Sequence, residues 1–371
     1  MILASTSILV IYLLIQLVQL YSLYTYKNGK DRSPLSTPLV SILLAVRDEE
    51  ENIIRCLDGL NELDYPKESY QVLIGDDQSK DSTSELVLEY IKDRPNFIYY
   101  SIPENYNPSR GKARVLAFLA KKAMGDYYAI TDADISIPKG WLNGLLGYFQ
   151  KKTNNEKGIG IVSATSVVGN QDSFLGNMQG IDWLYFMGLL KSIDNLKLPS
   201  TAIGNNMMIK KEAYWETGGY EKIEFSITED YKVYEVVTGL GWDCINILTP
   251  NTLAIAKPVN NLNVLLNQRK RWLKGAKDLQ LFWWVLFSLF TLFYPALIIL
   301  FVFNPVLAAL LWLTKFVIQN IQIARICKLL CYPFFGFFDL VKYESYLIGM
   351  TISTALYYLS PIKTVWKGRE Y

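Results

Sequence analysis

The residues of this chain that could do chemistry fall into four short groups in a fixed order: Gly75-Asp76-Asp77, Asp132-Ala133-Asp134, Thr228-Glu229-Asp230 and Gln268-Arg269-Lys270-Arg271-Trp272. Two carboxylates spaced i, i+2 at a strand end can project toward one hard cation. Mg2+ or Mn2+ takes few protein ligands and completes its shell with phosphate oxygens and water. Asp132 and Asp134 have that spacing, and a cation between them would neutralise a departing diphosphate. Asp76-Asp77 reads as an Asp-rich turn before a helix or as a hydrogen-bonding pair for a base or ribose. Lys112, in Arg110-Gly111-Lys112-Ala113 at a helix N-terminus, reads as an exposed lysine or a phosphate contact. Thr228 could cap a helix with an acidic first turn, or Asp230 could be a general base. In the basic run, Arg269, Lys270 and Lys274 fit a lipid-headgroup anchor. Arg271 suits a departing diphosphate and Trp272 an acceptor.

Composition narrows the choice. There is no histidine among the 371 residues, which excludes Ser-His-Asp triads, imidazole bases and His-ligated zinc. Deprotonating an acceptor hydroxyl then falls to a carboxylate. Cys56, Cys244, Cys327 and Cys331 lack zinc spacing. Cys327 and Cys331 stand one helical turn apart in an apolar segment, as packing residues do. The 37 basic and 35 acidic residues leave a net charge of +2, so there is no global field and nucleic acid is not expected as a partner.

The groups need elements to position them. Residues 38–260 alternate short apolar runs with helical patterns, as βα units do. Strands are expected at 39–46, 70–75, 97–101, 127–131 and 159–164. Helices are expected at 49–60, after Asp81 or Ser82, at 110–122 and from Thr228 to about Val237. In open α/β sheets ligands sit beyond the carboxyl ends of the strands. Arg47, Asp76-Asp77 and Asp132-Ala133-Asp134 each follow a strand, so their side chains converge on one edge.

Hydrophobic residues make up 51% of the chain and concentrate at its ends. Residues 1–26 carry no charged side chain and are long enough to cross a hydrocarbon core of ~30 Å. Without a basic n-region or cleavage site they read as an uncleaved anchor. Lys27, Lys30 and Arg32 then put the following chain in the cytoplasm. Residues 261–280 read as an interfacial amphipathic helix, and 281–362 as C-terminal transmembrane helices with Asn304-Pro305 as a break. Spans are expected at 281–303 and 306–323, with a third run at 345–362. Residues 329–338 lie at the interface or extend the last span; for a cytoplasmic tail, either 329–343 makes a fourth crossing or one apolar stretch does not cross. Lys363, Lys367 and Arg369 in the tail, 363–371, favour the cytoplasm.

With these residues in order, the chain resembles membrane-bound family 2 inverting glycosyltransferases with a GT-A fold, an α/β, Rossmann-like mixed sheet. The resemblance runs from about residue 38 to 275 and is carried by Val40 to Ile53, Asp76-Asp77-Gln78-Ser79, Gly111-Lys112-Ala113, Asp132-Ala133-Asp134, Gly204-Asn205-Asn206, Thr228-Glu229-Asp230 and Gln268 to Trp272. It implies that Ala45, Arg47, Glu49, Asp76 and Asp77 hold the nucleotide, with Lys112 also on the donor side. Asp132 would hold nucleotide and metal, Asp134 metal, and Gly204 and Asn205 the sugar. Asp230 would be the base, with Glu229, Gln268, Arg271 and Trp272 toward acceptor and diphosphate. One departure is visible: where the family often has Asn-Glu after the arginine, this chain has Asp48-Glu49.

The expected reaction is metal-dependent transfer, with inversion, from a UDP- or GDP-sugar to a lipid or lipid-linked glycan acceptor. The expected setting is a bacterial plasma membrane with the catalytic domain cytoplasmic. Three or four C-terminal crossings favour one-sugar transfer over polymer export. The alternatives are a processive polysaccharide synthase of the same family, a nucleotidyl or phosphosugar transferase, and a non-enzymatic component of a glycan export complex.

Overall fold

The computed structural model describes residues 1–26, 34, 36–106, 109–151, 153, 155–169, 173–363, 365–367 and 369–370. The basic cluster Lys27, Lys30 and Arg32, on which the expected orientation rests, lies outside the described residues. The chain divides into two compact units. A helical unit comprises Met1–Asn28, Asn170–Ser200 and Pro258–Thr364, and an α/β unit comprises Gly29–Gly169, Thr201–Lys257 and Val365–Tyr371. The expected continuous span 38–260 is thus interrupted: residues 170–200 group with the apolar helices.

With elements numbered along the chain, the five expected strands of the α/β unit form as β1 (Val40–Val46), β2 (Tyr70–Asp76), β3 (Phe97–Ser101), β4 (Tyr127–Asp132) and β6 (Ile159–Ala164). Joined by β8 (Asn206–Lys210) and β9 (Asp243–Ile247), they make a seven-stranded sheet in the order β3-β2-β1-β4-β8-β6-β9. β8 runs antiparallel to both β4 and β6, which makes the sheet mixed. A second, three-stranded sheet joins β5 (Ile135–Ser136), β10 (Ala254–Ala256) and β7 (Ser166–Val168).

Every residue of β2 and β6 is buried, as expected of strands covered on both faces. Successive side chains alternate between two cores. Ile42 and Leu44 pack with α2 (Ile53–Asn61) and α5 (Trp141–Phe149), and Leu43 and Leu73 pack with α4 (Gly111–Lys122) and α8 (Glu229–Gly239). Helix α2 buries Ile53, Cys56, Leu57 and Leu60, the i, i+3, i+4, i+7 stripe of an amphipathic helix. Gly75 allows the close approach of α4: a Cβ there would lie 2.4 Å from Val115 Cγ1.

Register brings the strand ends together. Val46 pairs with Asp76, and Ala45 pairs with both Gly75 and Asp132. Thr131 pairs with Asn206, so antiparallel β8 starts at the edge where β4 ends.

In the helical unit, α1 (Ile2–Thr25), α10 (Leu281–Phe303) and α11 (Pro305–Leu330) are long and apolar enough to cross a membrane. Asn304-Pro305 is the expected break. Asn304 Oδ1 accepts from Leu307 N at 3.0 Å, and Pro305 takes the first helical position, where its missing N–H costs nothing.

Two expectations are corrected. The second C-terminal helix continues past 323 to Leu330; of the charged residues there, Arg325 is half-buried and donates to Leu23 O and Tyr26 O, both at 3.2 Å, and Lys328 is exposed. Residues 329–343 form no helix of their own; from Phe337 they extend the last span, one of the expected alternatives. Cys331 adopts a left-handed conformation and ends α11. The last helix, α12, then runs Phe337–Leu359, earlier than the uncharged run at 345–362. Its Glu344 is buried against Lys315 (2.6 Å), Gln319 (2.7 Å) and Tyr294 (2.9 Å). Charge within an apolar segment is tolerated when paired this way. The unit is completed by α6 (Phe174–Asn195), which sequence patterning did not mark, and α9 (Leu262–Gly275).

Candidate active site

The residues at the carboxyl edge of the sheet converge on one ammonium group. Lys112, at the second position of α4, places Nζ 2.6 Å from Asp132 Oδ1 and 3.2 Å from Glu229 Oε1. It also donates to Gly204 O at 3.1 Å. Three separate sequence groups therefore meet at the Lys112 cation. Burial opposes the lysine's charge, but Asp132 and then Glu229 overcome that and raise its pKa. Lys112 is fixed here as an internal counter-ion, unlike the exposed lysine considered from sequence.

Asp230 stands beside this cluster in the first turn of α8. Its Oδ2 accepts from Gly204 N at 2.8 Å and its Oδ1 from Tyr231 N at 2.9 Å. Burial first, and then the neighbouring Glu229 charge, push its pKa up to about 6 despite the opposing pull of Lys112. Thr228 makes no side-chain cap, so the capping alternative for this group does not hold. Gly204 is tightly packed on the aspartate: a Cβ there would meet Asp230 Cβ at 2.8 Å. Asn205 Oδ1 accepts from Ser166 Oγ at 2.7 Å. Asn206 is buried and structural, bonded to Thr165 O, Thr252 O and Trp141 Nε1 at 2.8, 2.9 and 2.8 Å.

Asp134 follows β4 and makes no ion pair among the described residues. Burial, then Asp132, then Glu49 raise its carboxyl to about 6. Asp134, crowded by Asp132 and Glu49 and in no ion pair among the described residues, suits a divalent ion, with the second oxygen of Asp132 beside it while the first pairs with Lys112. No three acidic or thiol side chains form a cage among the described residues. A cation held by Asp132 and Asp134 would therefore take its other ligands from phosphate and water, as Mg2+ and Mn2+ do. The donor set fits the group.

At the ends of β1 and β2 the carboxylates are occupied by neighbours. Asp76 is buried; its Oδ1 accepts from Ser79 N and Oγ at 2.8 and 2.7 Å, and its Oδ2 from Tyr99 OH at 2.9 Å. That is the turn-building alternative. Asp77 forms a buried ion pair with Arg114, and Arg47 donates to Asp77 O. Asp48 has φ +50°, a conformation Asn and Asp adopt more readily than other non-glycine residues. The departure from Asn therefore preserves the local backbone. Its Oδ1 accepts from Lys80 N at 2.8 Å, tying the two loops together. Ala45 lies in the β1 register beside Asp132.

Two participants escaped the sequence reading. One is Arg114. The other is Lys367, in the turn between β11 (Val365–Trp366) and β12 (Arg369–Glu370). Its Nζ reaches Glu49 Oε1 at 2.9 Å and Asp48 O at 2.7 Å, and its carbonyl accepts from Arg47 Nε at 2.9 Å. Its contacts were missed because the tail was read only for its charge.

The remaining candidates, Gln268, Arg271 and Trp272, lie on α9 in the helical unit. Spaced i, i+3, i+4, they share one helix face. The charges between them are used inside that unit. Arg269 pairs with Asp182, and Lys270, buried, donates to Tyr357 O, Ser360 O and Ile362 O at 3.0, 2.9 and 2.7 Å, closing the end of α12. Neither is the free headgroup anchor that the sequence allowed.

Residues 41–218 match the family model described as Glycosyl transferase family 2. The chain is 28% identical over 259 residues to the poly-β-1,6-N-acetyl-D-glucosamine synthase of Staphylococcus aureus (strain COL), covering 65% of this chain and 55% of that protein. It is 27% identical over 252 residues to the synthase of the same name from Staphylococcus epidermidis, covering 66% and 56%. The chain thus spans about half the length of the curated relatives it matches. A mannosyltransferase from Pyrobaculum calidifontis, solved in complex with GDP-Man and Mn2+, matches over 96% of both chains with a TM-score of 0.56 and 16% identity. That likeness shows the fold, which is GT-A.

Proposed function

We propose that this chain, whose residues 41–218 match the Glycosyl transferase family 2 model, is a family 2 glycosyltransferase that moves a sugar from a nucleotide-sugar donor to a lipid or lipid-linked acceptor with inversion, at the cytoplasmic face of a membrane. The observation that carries the reading is the meeting of Asp132, Glu229 and Gly204 at Lys112, with Asp230 anchored on Gly204 beside them. Those groups lie far apart in sequence, and a folded domain has no need of this many charges at one strand edge unless they act together.

Asp230 is the base in this reading. A carboxyl held near pH 6 is ionised at neutral pH and basic enough to take a proton from an attacking hydroxyl. Its two backbone hydrogen bonds fix its orientation. Asp132 and Asp134 would hold Mg2+ or Mn2+, which when bound supplies positive charge for the departing nucleoside diphosphate. The resemblance assigns Ala45, Arg47, Glu49, Asp76 and Asp77 to the nucleotide, Gly204 and Asn205 to the sugar, and Glu229, Gln268, Arg271 and Trp272 to acceptor and diphosphate; Asp76, held by Ser79 and Tyr99, would act there through its turn. Lys112 orients Asp132 and Glu229 and keeps their repulsion in check. The Pyrobaculum structure's GDP-Man and Mn2+ support a nucleotide sugar and a divalent metal as ligands.

A second reading, a processive polysaccharide synthase, is favoured by the names of the staphylococcal relatives. One experiment addresses both. Membranes containing the chain are incubated with labelled UDP- and GDP-sugars, and the lipid phase and precipitable glycan are counted and sized. Label on single-sugar lipids supports the first reading, and a ladder of long glycans supports the second. No transfer from any donor would refute both.

A further inference from the structure

We propose that Asp182 and Trp183 of α6 are positioning residues for the acceptor-facing side of α9, acting on Trp272. This rests on the acceptor role proposed for Trp272. It is argued from the helical unit alone.

Three residues of α6, spaced i, i+3, i+4 and therefore on one face, grip α9 and its approach. Gln179 holds the backbone of Val259 from both sides, donating to its carbonyl at 2.9 Å and accepting from its N–H at 3.1 Å. Two residues later Asn261 caps α9, its Oδ1 accepting from Asn263 N at 2.8 Å. Asp182 then takes Arg269 on one carboxylate oxygen, and Tyr343 OH of α12 on the other at 2.9 Å. Arg269, held there, lies 5.0 Å over the Trp272 ring. Trp183 packs on the same ring, with centroids 5.2 Å apart and planes inclined by 34°. The Trp272 indole is thus confined by Arg269 and Trp183, and both confinements originate on α6.

A part-buried ion pair such as Asp182–Arg269 adds little net stability, since what it gains in attraction it loses in desolvation and screening. What the arrangement provides is direction. A carboxylate that accepts from two helices allows one placement of the guanidinium, and the guanidinium in turn fixes the ring. Lys270, the next residue, anchors α9 to α12 separately. Removing Asp182 therefore leaves α9 attached while releasing Arg269 and Trp272.

The test uses native membranes expressing the full chain, which supply the acceptor, and labelled UDP-N-acetylglucosamine and GDP-mannose as donors. Product label (lipid phase plus precipitable glycan) is divided by free sugar released to water. Asp182→Asn should lower this ratio by ~10-fold or more, the scale expected when a recognition group is displaced by about an ångström. Total donor consumption per folded enzyme should change little. Trp183→Ala should act in the same direction, and Asp182→Glu should restore part of the ratio. The double variant Asp182→Asn/Arg269→Gln should be no worse than either single variant, because the pair acts as a unit. An unchanged ratio, or transfer and hydrolysis falling in parallel as less enzyme folds, overturns the assignment alone. Absence of donor turnover by the wild-type chain overturns the proposed function, and this assignment with it.

Discussion

Replacing Asp230 with Asn separates a catalytic carboxylate from a structural one. In the native chain each carboxylate oxygen accepts one backbone N–H, from Gly204 and from Tyr231. An amide keeps one of these bonds and turns an NH2 toward the other donor, which costs ~1 kcal/mol. Against that, the variant removes a buried charge beside Glu229. A carboxyl raised from 3.8 to about 6 carries a folding penalty on the order of 2–3 kcal/mol when fully ionised. The sign follows from linkage. The folded pKa exceeds the unfolded one, so the penalty is absent below about pH 4, grows between 4 and 6, and is complete above 6. Asp230→Asn should therefore be as stable as wild type or more so at pH 7.5, and lose that advantage at pH 4. Turnover should fall ~10²–10⁴-fold, the usual contribution of a positioned base. In the wild type, transfer should rise with pH through an apparent value near 6 as the carboxylate forms. The assay is label transfer across pH 5–8 on both proteins, alongside thermal inactivation midpoints and equilibrium binding of a fluorescent nucleotide sugar. If the Asn variant turns over normally, Asp230 is not the base. If its turnover falls only as far as its folded fraction, the aspartate is structural.

The other expectations are simpler. Gly204→Ala would bring a methyl to 2.8 Å from Asp230 Cβ; transfer should drop ~10²-fold per folded enzyme, the cost of misplacing a catalytic group by about an ångström, beyond the ~1–3 kcal/mol of stability that such overpacking costs. Arg114→Met removes the guanidinium paired with buried Asp77 and should destabilise the α/β unit by ~3–5 kcal/mol, read as a large fall in thermal midpoint. Chelation with EDTA should abolish transfer, with Mn2+ or Mg2+ restoring it. Asp134→Asn should raise the metal concentration needed for half-maximal rate by ~10-fold or more; full activity in EDTA would remove the metal from the reaction.

Local pattern determined most of the α/β unit. The five expected strands form at their expected positions because each is a short apolar run bounded by turn residues, and a strand covered on both faces needs nothing more. Helix α2 forms for the same kind of reason, its four apolar residues falling on one stripe. Order also placed Arg47, Asp77 and Asp132 at strand ends, and a shared register then sets those ends side by side. The limits of pattern are equally physical. Helix α6 escaped notice because its buried positions are not arranged as a single apolar stripe; it buries Asn177, Gln179, Lys191 and Asp194 beside apolar residues, and polar groups can be buried only once partners from other segments arrive. Arg325 concealed the true length of α11 in the same way, because its carbonyl partners, Leu23 and Tyr26, lie 302 and 299 positions away. Asp76 and Asp77 looked equivalent in sequence, yet Ser79 and Tyr99 occupy one and Arg114 the other. Which lysine answers which carboxylate was likewise settled by folding. Lys112 reaches Glu229 across 117 positions and Lys367 reaches Glu49 across 318, and an electrostatic pairing over such separations is written in three-dimensional distance, which no local spacing encodes.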